Sequence, residues 1–94
     1  MVEYLYNCIR AVAGQDISIT AAITDDKGVT ITKNCSLTLH DDNGEIVTVE
    51  GNYINDEWLF IVEAKYTKGL KGRYWYCIRY MGNNLCFKEP IYLI

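Results

Sequence analysis

Leu70-Lys71-Gly72-Arg73-Tyr74-Trp75-Tyr76-Cys77-Ile78-Arg79-Tyr80 is the stretch whose reading decides the fold. Tyr74, Tyr76, Ile78 and Tyr80 recur at every second position, with Arg73, Trp75, Cys77 and Arg79 between them. A period of two places alternate side chains on opposite faces of a pleated strand, so this is a β-strand with one face turned to a core. The Leu70-x-Gly72-x-Tyr74 entry suggests more. In sandwich folds a Tyr at the start of a late strand bonds through its hydroxyl to the preceding loop, the tyrosine corner. Tyr74 is placed for that bond with backbone of 65–71, Gly72 lets the chain turn, and Leu70 plugs the end of the core.

The segments before this strand alternate in the same way. Ile17, Ile19, Ala21 and Ile23 share one face of 16–24, opposite Ser18, Thr20, Ala22 and Thr24. The small Ala21 leaves room for an aromatic ring. Residues 3–12 read as one edge strand, with Tyr4, Tyr6, Cys8 and Arg10 on one face and Leu5 and Ile9 on the other. Asp25-Asp26-Lys27-Gly28 and Asp41-Asp42-Asn43-Gly44 mark two hairpins. A three-residue loop over 42–44 sets Leu39 opposite Val47 and Leu37 opposite Val49. A two-residue Asn-Gly turn would set them opposite Thr48 and Glu50, so the apolar pattern favours the longer loop. The same geometry sets Ile23 opposite Ile31.

Further along, Trp58, Phe60 and Val62 are expected inward, leaving Leu59 and Ile61 outward under a partner or a loop. A turn at Gly82-Asn83 pairs Tyr80 with Leu85 and Ile78 with Phe87, and sets Cys77 opposite Lys88. Pro90 has no N–H to donate and belongs at an edge or a bulge; a bulge there would also keep Glu89 out of the core. Strands at about 8–12-residue spacing make an all-β chain, a sandwich of about seven antiparallel strands, in one domain over 1–94.

Composition narrows the function. Half of the 94 residues are apolar and one is Pro, as in an ordered globular domain. No apolar run approaches the about 20 residues of a membrane helix, and Met1-Val2-Glu3-Tyr4 carries no basic or apolar leader pattern. The net charge of −3 argues against a nucleic-acid binder. It is unevenly spread, since residues 1–64 carry −8 and residues 65–94 carry +5. Cys8, Cys35, Cys77 and Cys86 show no Cys-x-x-Cys spacing, and His40 stands alone, so no zinc site or other cofactor site is expected. The Asp clusters lack the closing Glu of a calcium loop and are explained by turn chemistry. With no leader pattern, and with Cys77 and Cys86 diagonal across the last hairpin, the four cysteines are read as reduced, buried thiols.

Gly14 and Asp16 before the Ile17–Ile23 strand, the Asp25-Asp26-x-Gly28 turn, Cys35/Leu37/Leu39 closing in Asp42-Asn43-Gly44, and Leu70-x-Gly72-x-Tyr74-x-Tyr76 together form a pattern. It resembles the small immunoglobulin-like domains of phage tail and baseplate proteins over residues 14–94. It departs at Gln15, which separates Gly14 from Asp16, and at Lys71, where that family usually has Pro. The resemblance implies an immunoglobulin-like sandwich acting as a virion structural or adaptor module, made in the host cytoplasm, with no catalytic residues to transfer.

No Gly-x-Ser-x-Gly, Walker loop or paired nucleophile and base is present, so no enzyme is expected. Two non-catalytic readings follow. One is a structural or adaptor module that assembles through protein contacts, including self-association. The other is a small binding or inhibitory module, directed at a bacterial protein or at carbohydrate through exposed Trp and Tyr. Eight Tyr and two Trp exceed what one small core needs, which favours an interaction surface. Its expected residues are Trp75, Cys77, Arg79 and Cys86, on the outer face of the last two strands.

Overall fold

The computed structural model describes residues 2–5, 8–25, 27–80, 83–84 and 89–94, without the side chains of Glu3, Leu5, Asn83 and Asn84. Two sheets pack as a β-sandwich. The strands are β1 (Val2–Leu5), β2 (Cys8–Ala11), β3 (Ile17–Ala21), β4 (Cys35–Asp41), β5 (Gly44–Glu50), β6 (Asn52–Ile54), β7 (Glu57–Val62), β8 (Gly72–Tyr80), β9 (Asn83–Asn84) and β10 (Glu89–Leu93). The larger sheet runs β1-β2-β10-β8-β4-β5, with β9 beside β8, and the smaller runs β3-β7-β6.

Alternation decides which residues meet between the sheets. Ile17 and Ile19 of β3, Leu37 and Leu39 of β4, Val47 of β5, Trp58, Phe60 and Val62 of β7, and Ile91 and Leu93 of β10 are all buried in one cluster. Tyr74, Tyr76 and Tyr80 pack against it from β8. Trp58 and Phe60 stack at 6.3 Å between ring centroids, and Tyr53 tilts against Trp58 at 5.5 Å. The Trp58 indole stays in the core because its Nε1–H donates to Ile31 O at 2.7 Å. Ala21 lies directly opposite Trp58, which accounts for its small size.

Both hairpin registers hold where the apolar residues meet, and the turns differ in detail. Leu37 faces Val49 and Leu39 faces Val47, but His40 then faces Glu45 and Asp41 faces Gly44. The turn is therefore the two residues Asp42-Asn43, and an irregularity past Leu39 restores the register that the core requires. Asp41 Oδ1 accepts the N–H groups of Asn43 and Gly44 at 2.7 and 2.9 Å, which closes the tighter turn. In the first hairpin the Ile31 N–H donates to Ile23 O at 2.9 Å, as expected, with Gly28 at φ 81°.

In place of one strand over 3–12 there are two antiparallel strands, β1 and β2. Leu5 pairs with Cys8, β1 is the edge, and β2 runs parallel to β10 with Ile91 opposite Ile9. Ile9 and Ala11 are buried because their face of β2 turns to the core cluster. The sandwich is thus not wholly antiparallel.

At the last turn Tyr80 pairs with Asn83 and not with Leu85. Lower down, Tyr76 faces Glu89 and Trp75 faces Pro90, which is the register expected there. The two ladders differ by two residues. Leu85, Cys86, Phe87 and Lys88, with the pairings expected for them, lie outside the described residues. No bulge interrupts Glu89–Leu93. Pro90 instead sits one residue before β10 meets β2 at Ile91, near the strand start, where a missing N–H is tolerated.

Candidate interaction face

β8 lies between β4 and β10 and turns Arg73, Trp75, Cys77 and Arg79 to the outer face of the larger sheet. Three cross-strand rows follow from the register. Arg79, Ser36 and Glu50 share one row; Cys77, Thr38 and Thr48 the next; Trp75, His40 and Glu45 the third. Tyr92 of β10 lies opposite both Arg73 and Arg10 and is 39% exposed.

Several side chains on this face have an identifiable environment. The Trp75 ring is half-buried; its Nε1–H donates to Asp42 Oδ1 at 3.2 Å, so the β4–β5 turn fixes its orientation. The Arg73 guanidinium lies 5.0 Å from the Trp75 ring centroid, a cation–π contact that occupies one ring face. In the middle row Thr38 and Cys77 are buried and Thr48 is exposed. Thr38 is 7% and Cys77 8% exposed, and the Thr38 and Thr48 hydroxyls lie 2.9 Å apart. Arg79 and Glu50 are exposed, and neither side chain has a hydrogen bond or ion pair among the described residues.

The expected surface is thus brought together in part. Trp75, Cys77 and Arg79 share the face, while Cys86 lies outside the described residues. Cys77 is buried, with its Sγ 3.8 Å from Ile78 O. Burial also raises the Cys35 thiol above the ordinary cysteine range. Asp42, Ser36, Thr38, Thr48 and Glu50 join the face only through the register of β4 and β5, a signal that alternation in β8 alone does not carry.

The corner residues hold their places without the expected bond. Gly72 adopts φ 102° and Leu70 and Tyr74 pack on the core, yet among the described residues the Tyr74 hydroxyl makes no hydrogen bond to backbone of 65–71. That connection is fastened from the other side. Thr67, 0% exposed, accepts the Gly14 N–H on Oγ1 at 3.0 Å, and Asp16 Oδ1 accepts the Ala64 N–H at 2.9 Å. These bonds tie Ala64–Tyr66, a single 3₁₀ turn, to the loop before β3. They already hold the segment that a tyrosine corner would hold.

On the opposite sheet Ile61 is outward and 42% exposed, as expected, beside Ser18. Among the described residues no three of His, Cys, Asp and Glu gather in a metal-binding group.

The fold and this face define a small two-sheet β-sandwich with an amphipathic outer face. No protein-family model, curated protein or solved structure matches the chain.

Proposed function

We propose that the protein is a non-catalytic, immunoglobulin-like module that works through protein–protein contacts, and that the outer face of β10, β8, β4 and β5 is its contact surface. The immunoglobulin-like assignment is supported by the strand order, β3-β7-β6 in one sheet and β10-β8-β4-β5 in the other. The observation that carries the function is Trp75, held by Asp42 and stacked under Arg73 on the outer face of β8. Trp, Tyr and Arg are the residue types that dominate binding energy at interfaces. A Trp fixed in advance loses little side-chain freedom on docking. A virion structural or adaptor role, with self-association, is the form of this function that the resemblance supports.

Light scattering of the wild type and of Trp75→Ala at matched concentrations tests it. The wild type is expected above 10.8 kDa in the micromolar range, and Trp75→Ala at 10.8 kDa with its circular dichroism unchanged. A wild type at 10.8 kDa throughout overturns the self-associating reading, as does a multimer indifferent to Trp75→Ala.

A further inference from the structure

We infer that the occupant of this face is a second copy of the chain, docked face to face about a two-fold axis running along β4. This rests on reading the face as a protein-contact surface and adds its partner and geometry.

Charge arrangement carries the inference. Arg79 on β8 and Glu50 on β5 lie in one cross-strand row, on either side of Ser36 in β4. A two-fold along β4 exchanges left for right and keeps each row at its height, so the partner's Glu50 comes to face Arg79 and the partner's Arg79 comes to face Glu50. The same patch then complements itself twice, as an isologous contact requires. Within one chain the two residues stand two strands apart, roughly 10 Å by the usual strand spacing, and they are not paired with each other.

The shape of the face agrees. Near Arg79 and Glu50 the axis passes over Ser36 and Thr38, both small, so the charged ends approach without displacing a large side chain there; His40 lies farther along the axis, beside Trp75. Aligned sheets pack about 10 Å apart, and their strands cross at about 30°. The Arg79 row lies about 7 Å along the strand from the Thr38 row, so that crossing moves the charged partners by only about 4 Å, within the reach of an Arg side chain. Three strands, β8, β4 and β5, run over the length of β4 and present roughly 300–350 Å² of face per copy, which places the dimer at the small, transient end of interfaces.

Charge reversal on the full chain tests it by sedimentation equilibrium. Arg79 and Glu50 are exposed, so their replacement leaves the core intact. Arg79→Glu alone and Glu50→Arg alone are each expected to raise the dissociation constant by more than about tenfold, because each sets like charges face to face twice. An equimolar mixture of the two variants is expected to recover the dimer as a heterodimer, and the doubly exchanged chain is expected to dimerise by itself. A purely intramolecular Arg79–Glu50 interaction gives no such recovery. A wild-type dimer unmoved by either reversal overturns the two-fold geometry, as does failure of the mixture to recover it. A dimer that Trp75→Ala abolishes but charge reversal does not leaves the contact face standing and removes only this arrangement. A wild type that stays monomeric removes this arrangement together with the self-associating reading.

Discussion

Gly51 sits where the chain leaves β5 of the larger sheet and enters β6 of the smaller, and a methyl group there has nowhere to go. A Cβ built on Gly51 falls 2.6 Å from Phe60 Cε1, 2.7 Å from Trp58 Cε3 and 3.1 Å from Phe60 Cδ1. The shortest of these is about 0.8 Å inside ordinary carbon–carbon contact. Neither side can yield cheaply. The Gly51 N–H donates to Cys35 O at 2.9 Å, so retreat of the backbone breaks a rung. Phe60 is fully buried, and Trp58 is fixed by its bond to Ile31 O. Overpacking of this kind costs about 1–3 kcal/mol. The loss of unfolded-chain entropy on replacing Gly by Ala offsets about 0.4–1 kcal/mol of that. Gly51→Ala is therefore expected to destabilise by about 1–2 kcal/mol. With a urea slope near 1 kcal/mol/M, the midpoint falls by about 1–2 M. Urea titration followed by Trp fluorescence and far-UV circular dichroism measures it. A midpoint at or above that of wild type would refute the packing argument, because then the Trp58–Phe60 stack has room that the structure denies it.

Two further outcomes follow from buried groups. Thr67→Val keeps the shape but leaves the Gly14 N–H without its acceptor; a loss of about 1–3 kcal/mol is expected, and an unchanged thermal midpoint would mean that this bond holds nothing. Cys35 has its thiol pKa raised by burial, so the folded state keeps a proton that the unfolded state gives up. Its stabilising contribution is complete below the ordinary thiol pKa and is lost as pH rises through the higher folded value, so stability should decline on the alkaline side. Cys35→Ala lowers stability at every pH through its cavity but should flatten that decline, and an alkaline limb of unchanged slope would assign it to other groups.

The legible parts of the fold are those where one face of a strand is buried and the other is not. The alternation in Ile17–Ala21, Cys35–Leu39 and Trp58–Val62 is a direct consequence of that asymmetry, and the opposition of Leu37 and Leu39 to Val49 and Val47 follows from it. The tighter Asp42-Asn43 turn was not legible, because an irregularity past Leu39 gives the same apolar pairing as a longer loop. The break between β1 and β2 carries no Gly or Pro, so 3–12 reads as continuous. Thr67 was invisible for a different reason. Its burial depends on Gly14, which is distant in sequence and has no side chain to leave a pattern. On the contact face, Trp75 and Arg79 are apparent from β8 alone, whereas Glu50 enters only when three strands are laid side by side.

The position of β10 has a consequence for the order of assembly. β10 follows every other strand along the chain, yet it lies between β2 and β8, and β2 reaches the rest of the larger sheet only through it. The Ala13 N–H donates to Ile94 O and the Ile94 N–H to Ala11 O, both at 3.0 Å, which fastens the same seam at its end. During synthesis β1 and β2 emerge long before the strand that joins them to the sheet. The smaller sheet, and β4 with β5 and β8, have all their partners earlier. The N-terminal strand pair is thus the last piece to be stitched in, by a closure that spans almost the whole sequence. Such distant pairing is slow because loop entropy must be overcome before any contact stabilises it. Until β10 arrives, one side of β8 is an open edge on which another chain can settle.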